Sequence, residues 1–270
     1  MGIFNSYTKE GKGVNKDEVR PIRPIYFFEI LFRKIAKFFP LNMLYVLLTI
    51  PVWIMLYLTI TVIFQTPETE LSIKTIGEGF YTFSLAFTAF SFLTGPATAG
   101  LTYVFKSFTT ETPSFIYSEF FENYKKNWKQ STLLTFLTGV FMISFSLTIN
   151  SPELSLIRIP SLVFFVLLIF VNYYAFSIMV MFEMKFMDII KNSFIFALAK
   201  LPLNIMLFVI IGAIACLAAV YSVLGILLTA IFLCTFCGFL VSFSVYPTIE
   251  RYMLEPAVDR DNINEKDFTD

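Results

Sequence analysis

The stretch PLNIMLFVIIGAIACLAAVYSVLGILLTAIFLCTFCGFLVSFSVY, residues 202–246, decides the fold class, because it carries no charge from end to end. One helix needs roughly 20 apolar residues to cross a bilayer, and this run holds about two such lengths. Divided near Ser222 to Gly225, it reads as two crossings, 202–222 and 226–246. Four more runs of the same kind lie upstream, at 41–64, 80–104, 131–148 and 159–182. The first is interrupted by Pro51. The second has a clean apolar part that ends at Leu93, so it must continue through Gly95-Pro96-Ala97-Thr98-Ala99-Gly100. A break or kink is expected at Gly95-Pro96, which spanning helices tolerate where neighbours cover the freed backbone. The expectation is an all-α polytopic membrane bundle of about six transmembrane helices, occupying residues 25–248. The first run starts too late and is too long for the apolar part of a signal peptide, so no cleavage is expected.

Composition agrees. The 270 residues are 57% hydrophobic and 15% charged, where a soluble domain would be nearer a quarter charged. Lys plus Arg and Asp plus Glu both number 20, so no global charge draws the chain to nucleic acid. The absence of His removes the commonest general base and the commonest metal ligand together. No cofactor is expected. Cys216, Cys234 and Cys237 all sit in apolar runs and offer no disulfide framework. Of the 20 Lys and Arg residues, all but Lys74 and Arg158 fall in alternate segments between the runs. The positive-inside rule then places both termini in the cytoplasm and the loops around Glu70 and Arg158 outside.

Each odd-numbered run is preceded by a segment that reads as an amphipathic interfacial helix on the cytoplasmic side. Tyr26 to Phe39 sets Glu29, Arg33 and Lys37 on one face. Phe115 to Gln130 pairs Glu122 with Lys126 and carries Lys125 and Trp128. Lys185 to Lys200 opposes Asp188 and Lys191 to Phe186, Ile189, Ile190 and Phe194. Such helices lie along the headgroups, with basic residues near anionic lipid. The first and fifth runs also open alike, Pro40-Leu41-Asn42 against Pro202-Leu203-Asn204. Three units of interfacial helix, span and span follow from this. Residues 1–24 read as a flexible tail, and 249–270, with five acids from Asp259 onward, as an acidic one.

The chain resembles the YesL-like family of bacterial integral membrane proteins. The carrying strings are Met1-Gly2-Ile3-Phe4-Asn5, then Gly95-Pro96-Ala97-Thr98-Ala99-Gly100-Leu101-Thr102-Tyr103-Val104, then residues 120–131 and Tyr246-Pro247-Thr248-Ile249-Glu250-Arg251-Tyr252. The resemblance implies a bacterial cytoplasmic membrane and a link to carbohydrate uptake and breakdown. It implies no established activity.

Cys234-Thr235-Phe236-Cys237 has dithiol spacing, but no charged neighbour in sequence would depress a thiol pKa, so apolar packing is expected. No Asp, Glu, Lys or Arg lies at the centre of a run, which argues against ion-coupled transport and membrane hydrolysis alike. Gly212, Ala215, Cys216 and Ala219 form a small-residue signature of helix packing in the fifth run. Asn42, Asn172 and Asn204 are expected to bond between helices. The sharpest pattern is in the second run. Ser84, Thr88, Ser91, Gly95, Thr98 and Thr102 recur at spacings of 4, 3, 4, 3 and 4 beside Pro96. They form either a close-packing seam or a hydroxyl-lined path for an uncharged polyol or sugar. The expected function is a non-catalytic accessory or scaffold protein, partnered by the bilayer and a carbohydrate permease. The alternative is a sugar or polyol carrier without ion coupling.

Overall fold

A computed structural model describes residues 23–65, 73–112, 115–220 and 222–254. Among these the chain is helical almost throughout and contains no strand. The helices are α1 (Arg23–Leu48), α2 (Ile50–Gln65), α3 (Ile73–Ala89), α4 (Ser91–Thr109), α5 (Ile116–Lys126), α6 (Trp128–Asn150), α7 (Arg158–Met181), α8 (Phe186–Ala199), α9 (Leu201–Val220), α10 (Ser222–Leu228) and α11 (Cys234–Ile249). A π-helical turn, Thr229–Leu233, joins α10 to α11, and a second, Glu250–Leu254, extends α11. The expected tails fall largely outside the described residues, as does the loop near Glu70.

Four helical stretches are long and apolar enough to cross a membrane, Trp128–Asn150, Pro152–Met181, Leu201–Val220 and Thr229–Leu254. The bent pair α1 and α2 makes a fifth if counted as one span. The expected crossing at 80–104 is not among them. The run is divided at Phe90 into α3, too short at 17 residues to cross, and α4, whose Ser, Thr, Gly and Lys residues lower its hydropathy. α9 ends at Val220, α10 begins at Ser222, and the second apolar stretch runs Thr229–Leu254 rather than 226–246.

Neither of two helix breaks falls at a proline. The second run breaks at Phe90, and α4 continues unbroken through Gly95-Pro96. The Pro96 ring opposes the carbonyl four residues back, that of Phe92, which lies inside α4, so the break at Phe90 is not the proline's own. The first unit differs more. α1 runs straight through Pro40, fusing the expected interfacial helix to the start of the first run. The chain turns instead by 83° at Thr49, with Pro51 in the first turn of α2, where its missing N–H costs nothing. The Thr49 hydroxyl donates to the Tyr45 carbonyl at 2.7 Å and accepts from the Trp53 indole at 2.9 Å. The second interfacial helix is shorter than expected. It ends at Lys126, and Trp128 begins α6.

The three-unit organisation gives the bundle its centre. α4, α7 and α11 close the three units, and each packs against the other two. The Phe239 ring of α11 lies 5.8 Å from that of Phe105, and Tyr174, Ile178 and Val245 are buried between α7 and α11. Each unit then returns to the helix that opens it. After α4, Glu111 receives the Tyr26 hydroxyl at 2.6 Å and the Arg33 guanidinium at 2.7 Å. After α7, Glu183 takes the Lys126 ammonium at 2.7 Å. After α11, the Tyr252 ring lies 6.1 Å from that of Phe196 of α8, tilted by 38°, and under the Lys200 ammonium. We call this side the basic end of the bundle.

Glu111 carries a left-handed φ of 56°, a conformation that non-glycine residues seldom hold without support. The Tyr26 hydroxyl, and then Arg33, hold its carboxyl below the usual carboxylate range. A depressed carboxylate stabilises the fold fully above its unfolded pKa and loses that contribution as pH falls through the folded value. Glu111→Gln is therefore expected to lower the thermal midpoint at neutral pH and to narrow its gap to the native protein as pH falls below the usual carboxylate range. A gap independent of pH would show that the charge contributes nothing.

Candidate functional site

The second-run seam is enclosed by protein. Ser84 is fully buried, Ser91, Gly95, Pro96 and Thr102 are buried, and Thr88 and Thr98 are half-buried. Four of its hydroxyls donate to the carbonyl four residues back. Ser84 bonds Phe80, Thr88 bonds Ser84, Thr98 bonds Thr94 and Thr102 bonds Thr98, each at 2.7 Å. A hydroxyl has one proton, so each of these has spent its donor on its own helix. Gly95 lies against α6 so closely that a Cβ there would collide with the Ser131 carbonyl, and Thr88 packs in the same way against Gly139. The facing hydroxyls of Ser131 and Thr135 are turned back on their own helix too.

The six positions do not stay on one interface. Thr88 and Gly95 face α6. Thr98 approaches the Tyr45 hydroxyl of α1 at 3.3 Å, and Thr102 reaches the junction of α4, α7 and α11. A strict seven-residue repeat drifts by about 20° per repeat around a straight helix, and the break at Phe90 adds a turn.

At that junction the basic end holds a small cleft of about 10 Å³, room for one water-sized group. Each central helix contributes a hydroxyl and the residue four positions on. These are Thr102 and Lys106 from α4, Ser177 and Met181 from α7, and Ser242 and Tyr246 from α11, with Val180 of α7 completing the wall. The sequence reading missed this ring, although the shared i, i+4 placement near the end of each unit was there to be read. A larger cleft of about 80 Å³ lies between α6 and α7, walled by Phe141, Phe145, Phe164 and Phe165 with Ser144 and Thr148.

The three asparagines all bond across elements. Asn42 is fully buried and makes four contacts. Its amide donates to the carbonyls of Thr229 at 2.9 Å and Ala230 at 2.6 Å, and its oxygen accepts from the Thr235 backbone N–H and hydroxyl. It thereby serves the backbone groups that the π-helical turn displaces. Asn172 bonds Thr138 of α6, and Asn204 joins the Tyr174 hydroxyl to the Ala197 carbonyl. The small residues of α9 do not pack inward. A Cβ on Gly212 would meet nothing within 4 Å, and Cys216 is exposed. Cys234 and Cys237 are free thiols in half-buried positions. Among the described residues no three His, Cys, Asp or Glu side chains are grouped to hold a metal ion.

The interfacial residues separate into engaged and free. Arg33 is engaged by Glu111 and Glu29, and Lys126 by Glu183. Lys37, Lys125 and Trp128 are exposed, with the Lys129 ammonium 6.0 Å from the Trp128 ring. Amphipathic rings prefer headgroup depth. In a Trp53→Phe background, headgroup-level quenchers are expected to quench Trp128 fluorescence more than chain-end quenchers. Equal or reversed quenching would place the ring elsewhere.

Over residues 38–150, from the second half of α1 through α6, the chain is similar to a family described as Protein of unknown function, DUF624. No curated protein and no solved structure matches it.

Proposed function

We propose that this membrane protein is a non-catalytic accessory or scaffold subunit of bacterial carbohydrate uptake, with the basic end of the bundle in the cytoplasm. The observation that carries the reading is the contrast between a closed seam and an open α9. The seam, the best candidate for a solute path, packs against neighbouring helices, and four of its five hydroxyls donate to their own helix. A crossing helix with an unoccupied small-residue face, by contrast, suits close approach by another membrane helix. The distribution of Lys and Arg supports the orientation, and the YesL-like resemblance supports the carbohydrate context. The carrier reading keeps one observation in its favour, the break at Phe90 within the seam helix pair.

The test is purification of the full chain from its native membrane in mild detergent, with and without Gly212→Leu. A sugar-permease subunit is expected in stoichiometric amount with the native chain and lost from the variant, whose thermal midpoint should be unchanged. Passage of labelled sugar through liposomes holding the isolated protein would overturn the proposal in favour of the carrier.

A further inference from the structure

We propose that the cleft between α6 and α7 seats one acyl chain of an anionic phospholipid whose phosphate is held by Arg158. The cleft opens on the outside of the bundle, since Phe141, Ser144 and Phe164 on its rim are exposed. Its floor is the stacked pair Phe145 and Phe165, with ring centres 4.7 Å apart and planes within 5°. Phe80 of α3 meets both rings edge-on, at 6.0 and 5.8 Å, and so fixes the floor. Ser144, Thr148 and Ser161 complete the lining. Each donates its proton to a carbonyl of its own helix, those of Val140 at 3.0 Å, Ser144 at 2.9 Å and Arg158 at 2.9 Å. No hydroxyl donor is left inside for a polyol or an oxyanion. What remains is a pre-formed aromatic slot of about 80 Å³, suited to hydrocarbon.

Arg158 gives the slot a direction. It opens α7 one turn before Ser161, and its Nε reaches the carbonyl of Thr148 at 3.4 Å, so both lining residues bond it at one end of the cleft. Its Nη2 donates to the Ser151 carbonyl at 3.2 Å. Two of the five guanidinium N–H groups are thereby used, and no described acid pairs with it. The three that remain are charged donors of the kind that phosphate oxygens accept. Polarity falls from Arg158 through two satisfied hydroxyls to four rings, the order met along a phospholipid from phosphate to chain. This end lies opposite the basic end, since α7 runs from Arg158 to Met181, about 36 Å. Lipid tails are as apolar as the rings, so the slot positions a chain while the charge selects the headgroup.

Native mass spectrometry of the full chain in detergent, with phosphatidylglycerol or phosphatidylcholine added, reads the site. The native chain is expected to retain phosphatidylglycerol in preference to phosphatidylcholine. Arg158→Gln should weaken phosphatidylglycerol binding by about tenfold, the loss of one charge-assisted contact, and abolish the preference. Ser144→Leu fills the slot without touching the charge, and it should weaken both lipids. Lys125→Gln, at the basic end, should leave the preference as in the native chain. Thermal midpoints in lipid-free detergent should be the same for all four chains, which separates loss of lipid from loss of fold. Native-like retention of phosphatidylglycerol by Arg158→Gln or by Ser144→Leu, an equal loss in Lys125→Gln, or no preference in the native chain would overturn the proposal.

Discussion

Gly95→Ala is expected to destabilise the bundle by about 3 kcal/mol, the upper end of the cost of overpacking a filled core. The added Cβ would collide with the Ser131 carbonyl of α6, with the Thr135 hydroxyl at 2.8 Å behind it. Backbone cannot rotate away as a flexible side chain can, so α4 and α6 must separate along the seam. Separation breaks the close packing that holds helices together in lipid, where no hydrophobic drive between them compensates. Gly212→Ala is the matched control. Its Cβ meets open space, and replacing Gly by Ala in a helix is favourable by up to about 1 kcal/mol. Thermal unfolding in detergent, followed by size exclusion, should show a lower midpoint for the first variant and an unchanged or higher one for the second. Equal midpoints for Gly95→Ala and the native chain would mean that the α4–α6 contact is not close.

Asn42→Leu should be comparably severe, costing about 2–4 kcal/mol. Leucine matches the volume but leaves the carbonyls of Thr229 and Ala230 and the N–H of Thr235 without their buried partner. Bonds between membrane helices contribute only about 0.6 kcal/mol each on average, while an unsatisfied buried group costs about 1–3 kcal/mol. Several such groups lost at once place Asn42→Leu well above the ordinary polar contact. Asn42→Asp separates the two halves of the amide. It retains the acceptor for Thr235 but loses both donations and sets a carboxylate against two carbonyl oxygens. It should unfold no later than Asn42→Leu. A thermal midpoint for Asn42→Leu equal to that of the native chain would show that the π-helical turn needs no partner.

Hydropathy and charge made the helical membrane character legible, because the uncharged run at 202–246 admits no soluble reading. The repeated openings do not survive as alike, since Pro40 lies inside α1 while Pro202 stands in the first turn of α9. What escaped were features set by a second helix. The second run breaks at Phe90, six residues before Pro96. Pro40 lies harmlessly inside α1, and Thr49 forms the corner with help from Trp53. Gly212 reads as a packing residue from its spacing alone, and only the position of α9 shows its face to be open. The seam spacing identified buried small residues. It could not say which neighbour covers each one, because the drift of the repeat passes Thr98 to α1 and Thr102 to the central junction. Asn42 was expected to bond between helices, but its partners, nearly two hundred residues away, depend on a π-helical turn that periodicity does not announce.

The most direct measurement is thiol accessibility along the seam. Single cysteines at Thr88, Ser91 and Thr98, in a protein lacking Cys216, Cys234 and Cys237, would be treated in membranes with a water-soluble thiol reagent. A cysteine at exposed Lys125 would serve as the labelled reference. The closed-core account predicts full labelling at Lys125 and protection at all three seam positions. Labelling at Thr88, Ser91 and Thr98 by the water-soluble reagent would contradict it and show an aqueous path through the bundle.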